Sequence, residues 1–149
     1  MKIVLVIDTY NGGNGGCVAT KRLAEGLRWR GHQVSIVSTG KCDDEGFFEV
    51  KGTYLPFVKE SLQKMEFLFG IPQKEVLRKA FADADVVQIQ FPFYLGYGAI
   101  KLAKKMKKTV VGAFHVQPQN IIGALGRQSY IFEKILTWSF NFLLLNRVP

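Results

Sequence analysis

The sequence has few cysteines and no long, uninterrupted apolar stretch. Cys17 and Cys42 are its only cysteines among 149 residues, too few for a disulfide framework, and neither lies in a CxxC motif. A reduced, cytoplasmic compartment fits this pattern best. The apolar run at residues 3–7 is too short for a signal peptide, and no stretch reaches the roughly 18 apolar residues that a membrane-spanning helix needs.

Acidic residues are also scarce relative to basic ones. The chain has 12 Asp and Glu against 20 Lys and Arg, a formal net charge of +8. Such a balance favours anionic partners, namely nucleotides, anionic lipid or nucleic acid. Hydrophobic residues make up 48% and charged residues 21%, which excludes a disordered chain. We therefore expect residues 1–149 to form a single domain with its own core.

Short apolar runs alternate with helical patterns along the chain. Runs at residues 3–7, 34–37, 85–91 and 109–114 predict strands, and residues 48–55 predict a further short strand. Apolar spacing predicts helices at residues 18–27, 56–69, 73–84, 98–108 and 130–145. This alternation predicts an α/β fold, a Rossmann-like, doubly wound and mostly parallel sheet flanked by helices.

A glycine-rich segment, residues 9–16, follows the first predicted strand and leads into the first predicted helix. Ligands of open α/β sheets bind outside the carboxyl ends of the strands. The backbone N–H groups at a helix start can receive a phosphate, and glycine lets it approach closely. Residues 91–96 and 115–120 are expected at the same edge of the sheet.

The glycine-rich segment matches no common phosphate-binding motif completely. The fingerprint GxGxxG needs glycine where Val18 stands, and the second strand ends at residues 38–40 without an acidic residue to hold a ribose. A Walker A motif fails because Lys41 is followed by Cys42. A flavodoxin-like FMN protein fits the length, although Thr9 alone would supply a hydroxyl for the phosphate.

Four further patterns occur in order along the chain. They are Gly15-Gly16 followed by Leu23-Ala24-Glu25-Gly26-Leu27, then Arg30-Gly31-His32-Gln33-Val34, the strand at residues 85–93, and the strand and histidine loop at residues 110–120. Together they resemble the N-terminal, acceptor-side domain of family 4 glycosyltransferases, over nearly the whole chain. The resemblance implies the GT-B fold, in which two Rossmann-like domains face each other across a cleft. It also implies retaining transfer of a sugar from a nucleotide-sugar donor.

The resemblance implies roles for residues that would line the cleft. Gly15 and Gly16 would lie near the donor's diphosphate or the acceptor, and His115 would face the sugar as the catalytic candidate. Substrate contacts are also expected from Phe91, Tyr94, Gln117 and Asn120. Catalysis would rest on positioning and on stabilising the leaving diphosphate. The nucleotide-sugar would be a substrate, with no tightly bound cofactor and no metal.

In this family the second domain holds most of the donor nucleotide, through two glutamates eight positions apart. No glutamate of this sequence has another glutamate eight positions later. We therefore expect an acceptor-side half that is inactive without its C-terminal, donor-binding domain. The predicted helix at residues 130–145 is apolar on all sides, so we expect an exposed patch through which two copies can pair.

Four lysines, Lys101, Lys104, Lys105 and Lys108, share one face of the predicted helix at residues 98–108. This face is either a solvated surface or a contact with an anionic membrane. The second interpretation implies a cytoplasmic protein, peripheral on the inner face of the membrane, with a lipid or glycan acceptor. Nucleic acid is not expected, because the lysines do not alternate with exposed aromatics. Two alternatives stay open: a flavodoxin-like or other single-domain nucleotide-binding protein, and a non-catalytic membrane-surface or subunit-binding module.

Overall fold

A computed structural model of the chain describes residues 1–54, 59–64, 66–113 and Lys134. The strands are β1 (Lys2–Thr9), β2 (Gln33–Thr39), β3 (Phe47–Val50), β4 (Gly52–Thr53), β5 (Phe69–Gly70), β6 (Val86–Ile89) and β7 (Thr109–Gly112). The helices are α1 (Gly15–Trp29), α2 (Lys59–Lys64), α3 (Lys74–Phe81) and α4 (Tyr94–Lys105). The predicted helix at residues 130–145 lies outside the described residues, Lys134 excepted. No helix in the described part of the chain is long and apolar enough to cross a membrane.

Five strands form one parallel sheet in the order β3-β2-β1-β6-β7, and β4 pairs with β5 in a small antiparallel one. Counted along the chain, the five strands lie in the order 3-2-1-4-5, which is the Rossmann order. A flavodoxin-like sheet would have the order 2-1-3-4-5, so the expectation of a flavodoxin-like fold is wrong. The Rossmann-like α/β prediction is confirmed. The order reverses between β1 and β6, so the crevice for a ligand lies outside their carboxyl ends.

Residues 3–7 of the central strand β1 are all apolar because helices cover both faces of the sheet. Successive side chains of a strand point to opposite faces. Val4 and Val6 belong to the apolar cluster that contains the buried residues of α3 and α4. Residues 3, 5 and 7 belong to the other cluster, with Ala24 of α1. Burial on both sides therefore explains the continuous apolar run rather than an alternating pattern.

The end of α1 follows the sequence prediction. The backbone N–H of His32 donates to the carbonyl of Leu27 at 3.1 Å, and that of Gly31 donates to Arg28 at 2.9 Å. These two bonds make a Schellman cap, which requires a left-handed residue. Gly31 supplies it, with φ of +82°. The chain therefore turns directly from α1 into β2.

Two predicted segments near the middle of the chain need correction. Residues 56–69 were expected to be mostly helical, but the described helix α2 covers Lys59–Lys64, and Phe69 begins β5. The polar side chains at the end of β1 hold residues 68–70 in an extended form. The predicted strand at residues 48–55 is divided into β3 and β4, which belong to different sheets.

Helix α4 is displaced toward the N-terminus relative to its prediction. It begins at Tyr94 instead of residue 98, and it includes Gly96 and Gly98. Both glycines are tightly packed, because a Cβ at Gly96 would lie 2.2 Å from the carbonyl oxygen of Phe91 and one at Gly98 would lie 2.3 Å from Cβ of Pro72. The expected helix-breaking effect of glycine is thus outweighed by close packing.

Candidate functional site

The glycine loop, residues 10–14, connects the carboxyl end of β1 to α1. Asn14 caps the helix, and its Oδ1 atom accepts a hydrogen bond from the N–H of Cys17 at 3.1 Å. The first N–H groups of an α-helix have no partner inside the helix. Gly15 is exposed, and a Cβ placed there would meet nothing within 4 Å. The start of α1 is therefore open to an approaching group at Gly15.

The next residue, Gly16, is closely packed instead. A Cβ at Gly16 would lie 2.4 Å from the Cζ atom of Phe91, which follows β6. The ring of Phe91 is 2% exposed and lies 5.8 Å, centroid to centroid, from the rings of Phe67 and Phe93. The start of α1 and the segment after β6 therefore meet through this pair. The buried ring of Phe91 packs against the start of α1 and supports it. Contact between this ring and a substrate stays a prediction.

Asp8 lies near the carboxyl end of β1, just before the glycine loop, and is 1% exposed. Its Oδ1 atom accepts a hydrogen bond of 2.9 Å from the N–H of Gly70. Burial raises the pKa of the Asp8 carboxyl to about 7, because the charged form loses its hydration. The sequence alone predicted no role for Asp8, which directly follows the apolar run at residues 3–7. The available signal was a carboxyl group directly after five consecutive apolar residues of β1.

Thr9 also joins β1 to the segment before β5. Its Oγ1 atom donates to the carbonyl of Leu68 at 2.9 Å and accepts from the N–H of Leu68 at 2.8 Å. The one hydroxyl that the sequence offers for a phosphate is thus already hydrogen-bonded to Leu68. The thiol of Cys17 donates to the Thr9 carbonyl at 2.8 Å, and burial raises the pKa of this thiol. Cys17 therefore acts as a small buried donor.

Glu66 is the second residue that sequence reasoning missed. Its Oε2 atom accepts a hydrogen bond from the backbone N–H of Gly13 at 3.2 Å. Its own carbonyl oxygen lies 3.0 Å from the position that a Cβ of Gly12 would occupy. Residues 66–70, which we call the covering segment, therefore lie directly against the glycine loop. No sequence motif connects positions 13 and 66, because only the tertiary fold brings them together.

The structure brings together three of the predicted site residues, Gly15, Gly16 and Phe91, at the switch point. Tyr94 begins α4 on the same side and is 63% exposed. The other predicted residues, His115, Gln117 and Asn120, lie outside the described residues. Within the described ranges, no group of three His, Cys, Asp or Glu side chains could hold a metal ion.

The predicted lysine face is only partly correct. Lys101, Lys104 and Lys105 lie on α4 and are exposed. Lys108 does not share this face, because the helix ends at Lys105 and Lys107 turns the chain with φ of +56°. The ammonium group of Lys108 donates to the carbonyl of Ala82 at 2.8 Å instead.

Comparison with known proteins places the chain in a family. Residues 13–148 match the family model described as Glycosyltransferase Family 4. No curated protein sequence matches the chain. A similar solved structure is that of a ugt transferase from Siraitia grosvenorii in complex with UDP, at 15% identity and a TM-score of 0.45. The similarity covers 85% of this chain and 28% of that protein, so the chain spans just over a quarter of its length. Since the family model covers most of the chain, the protein belongs to Glycosyltransferase Family 4.

Proposed function

We propose that the chain is the acceptor-side domain of a retaining glycosyltransferase, which moves a sugar from a nucleotide-sugar donor to an acceptor. Family membership supports the reaction class. The observation that carries the site is the unobstructed start of α1 at the switch point, where Gly15 leaves the approach to the helix open. Ligands of this sheet architecture bind at that place.

The chemistry of this site suits an oxyanion. The first N–H groups of α1 and the positive end of its dipole attract negative charge, and glycine lets a phosphate oxygen approach the backbone. In sugar transfer, negative charge develops on the leaving diphosphate, so donors fixed in advance stabilise the transition state. Gly16 and Phe91 keep these donors in place through close packing. Asp8 and Thr9 hold the covering segment beside them.

Sugar transfer in this proposal needs a second domain. The chain supplies the acceptor side, and a donor-binding C-terminal domain supplies most contacts to the nucleotide. His115, Gln117 and Asn120 stay candidates for contacts to the sugar, with His115 facing the sugar as the catalytic candidate. Pairing of two copies through residues 130–145 also stays a prediction.

The acceptor in this proposal is a lipid or a glycan. Three exposed lysines on α4, Lys101, Lys104 and Lys105, support a place on the inner face of the membrane. Each cation near an anionic surface contributes about 1 kcal/mol. An acceptor carried in the membrane would then reach the cleft without leaving the lipid phase.

The test compares two glycines of α1, Gly15 and Gly26. A Cβ meets nothing within 4 Å at either position, so Gly15→Ala and Gly26→Ala both keep the fold. In titrations of the ¹⁵N-labelled chain with UDP, GDP, ADP and their sugar conjugates, we expect amide shifts at Gly15 and Gly16. Gly15→Ala should lower the affinity for the ligand that binds best about tenfold, because the added methyl group blocks the path by which the phosphate approaches the backbone. Gly26→Ala should leave its affinity unchanged.

Two results would contradict the proposal. One is the absence of shifts at Gly15 and Gly16 with every nucleotide and nucleotide-sugar tested. The other is an equal loss of affinity in the Gly15 and Gly26 variants, because that would place the ligand elsewhere. Transfer of a sugar to an acceptor by the chain alone would contradict only the requirement for a second domain.

A further inference from the structure

The carboxylate of Glu66 already occupies one of the backbone donors of the glycine loop. It accepts from the N–H of Gly13 at 3.2 Å. The first turn of α1 contains no acidic residue of its own, so nothing in that turn neutralises the positive end of the helix. Negative charge near a helix N-terminus is stabilising. Glu66 therefore brings such a charge to the loop from 53 residues away.

The backbone around Glu66 is held independently of its side chain. The N–H of Glu66 donates to the carbonyl of Gln63 at 3.1 Å, and Leu68 is bound on both sides by Thr9. Glu66 itself is exposed and adopts φ of +50°, which non-glycine residues rarely do. Packing therefore keeps this residue at the loop, while its side chain can rotate into solvent without moving the chain.

We propose that Glu66 is an autoinhibitory residue of the glycine loop, whose carboxylate takes the place of the anionic ligand and must leave before that ligand binds. The inference rests on the proposed function, which makes the ligand a diphosphate or another phosphate group. An incoming phosphate competes with Glu66 for the N–H of Gly13 and is also repelled by its charge. The residue thus selects against weakly bound anions.

The experiment measures binding of inorganic pyrophosphate to the full chain and to three variants. Glu66→Gln keeps the side-chain shape and removes the charge. Glu66→Gly removes the competitor altogether, and glycine adopts a positive φ without strain, so this variant keeps the fold. Glu25→Gln, on the exposed side of α1, removes the same charge away from the loop and serves as the control.

We expect Glu66→Gln and Glu66→Gly to bind pyrophosphate about five- to tenfold more tightly than the natural chain, and Glu25→Gln to bind within about twofold of it. In 1 M salt the gain of Glu66→Gln should shrink, because the repulsion is screened. The gain of Glu66→Gly should persist, because it removes a competitor for the N–H. The Gly13 amide resonance should move when Glu66 is replaced and again when pyrophosphate binds.

Three outcomes would overturn the inference. They are unchanged or weaker pyrophosphate binding in both Glu66 variants, an equal gain in Glu25→Gln, and no binding of pyrophosphate by any of the four proteins. A failure of the proposed function is distinguishable from these results. It would appear as pyrophosphate binding that depends on Glu66, together with no response of Gly15 and Gly16 to any nucleotide-sugar.

Discussion

The carboxyl group of Asp8 and the backbone N–H of Gly70 are joined by a buried hydrogen bond of 2.9 Å. This contact connects the central strand of the main sheet to the small sheet formed by β4 and β5. It fixes the covering segment from one end, while Glu66 contacts the glycine loop at the other. The buried carboxyl group of Asp8 thus helps to hold the covering segment beside the candidate site.

The first prediction concerns the pH dependence of stability. Burial raises the pKa of Asp8 from 3.8 to about 7, so between these values the folded chain binds a proton that the unfolded chain has released. The contribution of Asp8 to stability therefore falls as the pH rises through this window and is constant above it. From pH 5 to pH 8 the loss is about 2–3 kcal/mol.

Asp8→Asn should remove this dependence, because the amide has no proton to lose and still offers an oxygen to Gly70. Urea unfolding at pH 5 and pH 8 gives the change in unfolding free energy between the two pH values for each protein. The effect of Asp8 is the difference between this change in the natural chain and in Asp8→Asn. Other titrating groups cancel in this comparison. An identical change in both proteins would show that Asp8 has the same pKa in the folded and unfolded chains.

The second prediction concerns two neighbouring glycines with opposite surroundings. Gly16→Ala should lower the free energy of unfolding by about 1–3 kcal/mol, because the added methyl group would overlap the ring of Phe91. Gly15→Ala should leave it unchanged or raise it slightly, because the space around Gly15 is open. Chemical denaturation of the two variants checks the contrast.

A double-mutant cycle identifies the cause. Phe91→Leu shortens the side chain that the new methyl group meets, so in a chain that already carries this substitution the cost of Gly16→Ala should fall by about 1 kcal/mol. If the two substitutions are additive, the destabilisation does not come from the contact between Gly16 and Phe91.

The third prediction concerns the hydroxyl group of Thr9. Thr9→Val keeps the shape of the side chain but removes both hydrogen bonds to Leu68, leaving an N–H and a carbonyl group without these partners. We expect a loss of about 1–3 kcal/mol in unfolding free energy. The control is Thr20→Val, which removes a bond to the Gly16 carbonyl within α1 and should cost less. Equal losses in the two variants would contradict the prediction that the two bonds of Thr9 to Leu68 contribute more stability than the single bond of Thr20.

Much of the fold could be predicted because local sequence patterns determine it. The apolar run of β1 and the glycine that ends α1 carry their signals within a few residues. In the candidate site, Gly15 and Gly16 could be proposed from the sequence because a local glycine-rich motif marks them. Glu66 and the partner of Asp8 were missed because their contacts join positions more than 50 residues apart. The start of α4 was misplaced because tertiary packing, at Gly96 and Gly98, outweighs the local preference of glycine.

The fourth prediction concerns the lysine face of α4, which consists of Lys101, Lys104 and Lys105. Replacing all three with Gln should weaken binding to vesicles containing anionic lipid by roughly a hundredfold at low salt, since three cations contribute about 3 kcal/mol. The binding of the natural chain should also fall as salt is added. Vesicle sedimentation at several salt concentrations measures both effects.

The control for the lysine face removes three other exposed cations, Arg22, Arg30 and Lys51. The two arginines belong to α1 and its C-cap, and α1 packs on the sheet face opposite α4. If the membrane attracts the protein only through its net charge of +8, both triple variants should weaken binding equally. If the lysine face of α4 is a specific membrane contact, the lysine variant should lose more vesicle binding than the control variant. Binding that needs no anionic lipid would contradict both explanations, because each depends on attraction between cations of the chain and negative charge on the lipid.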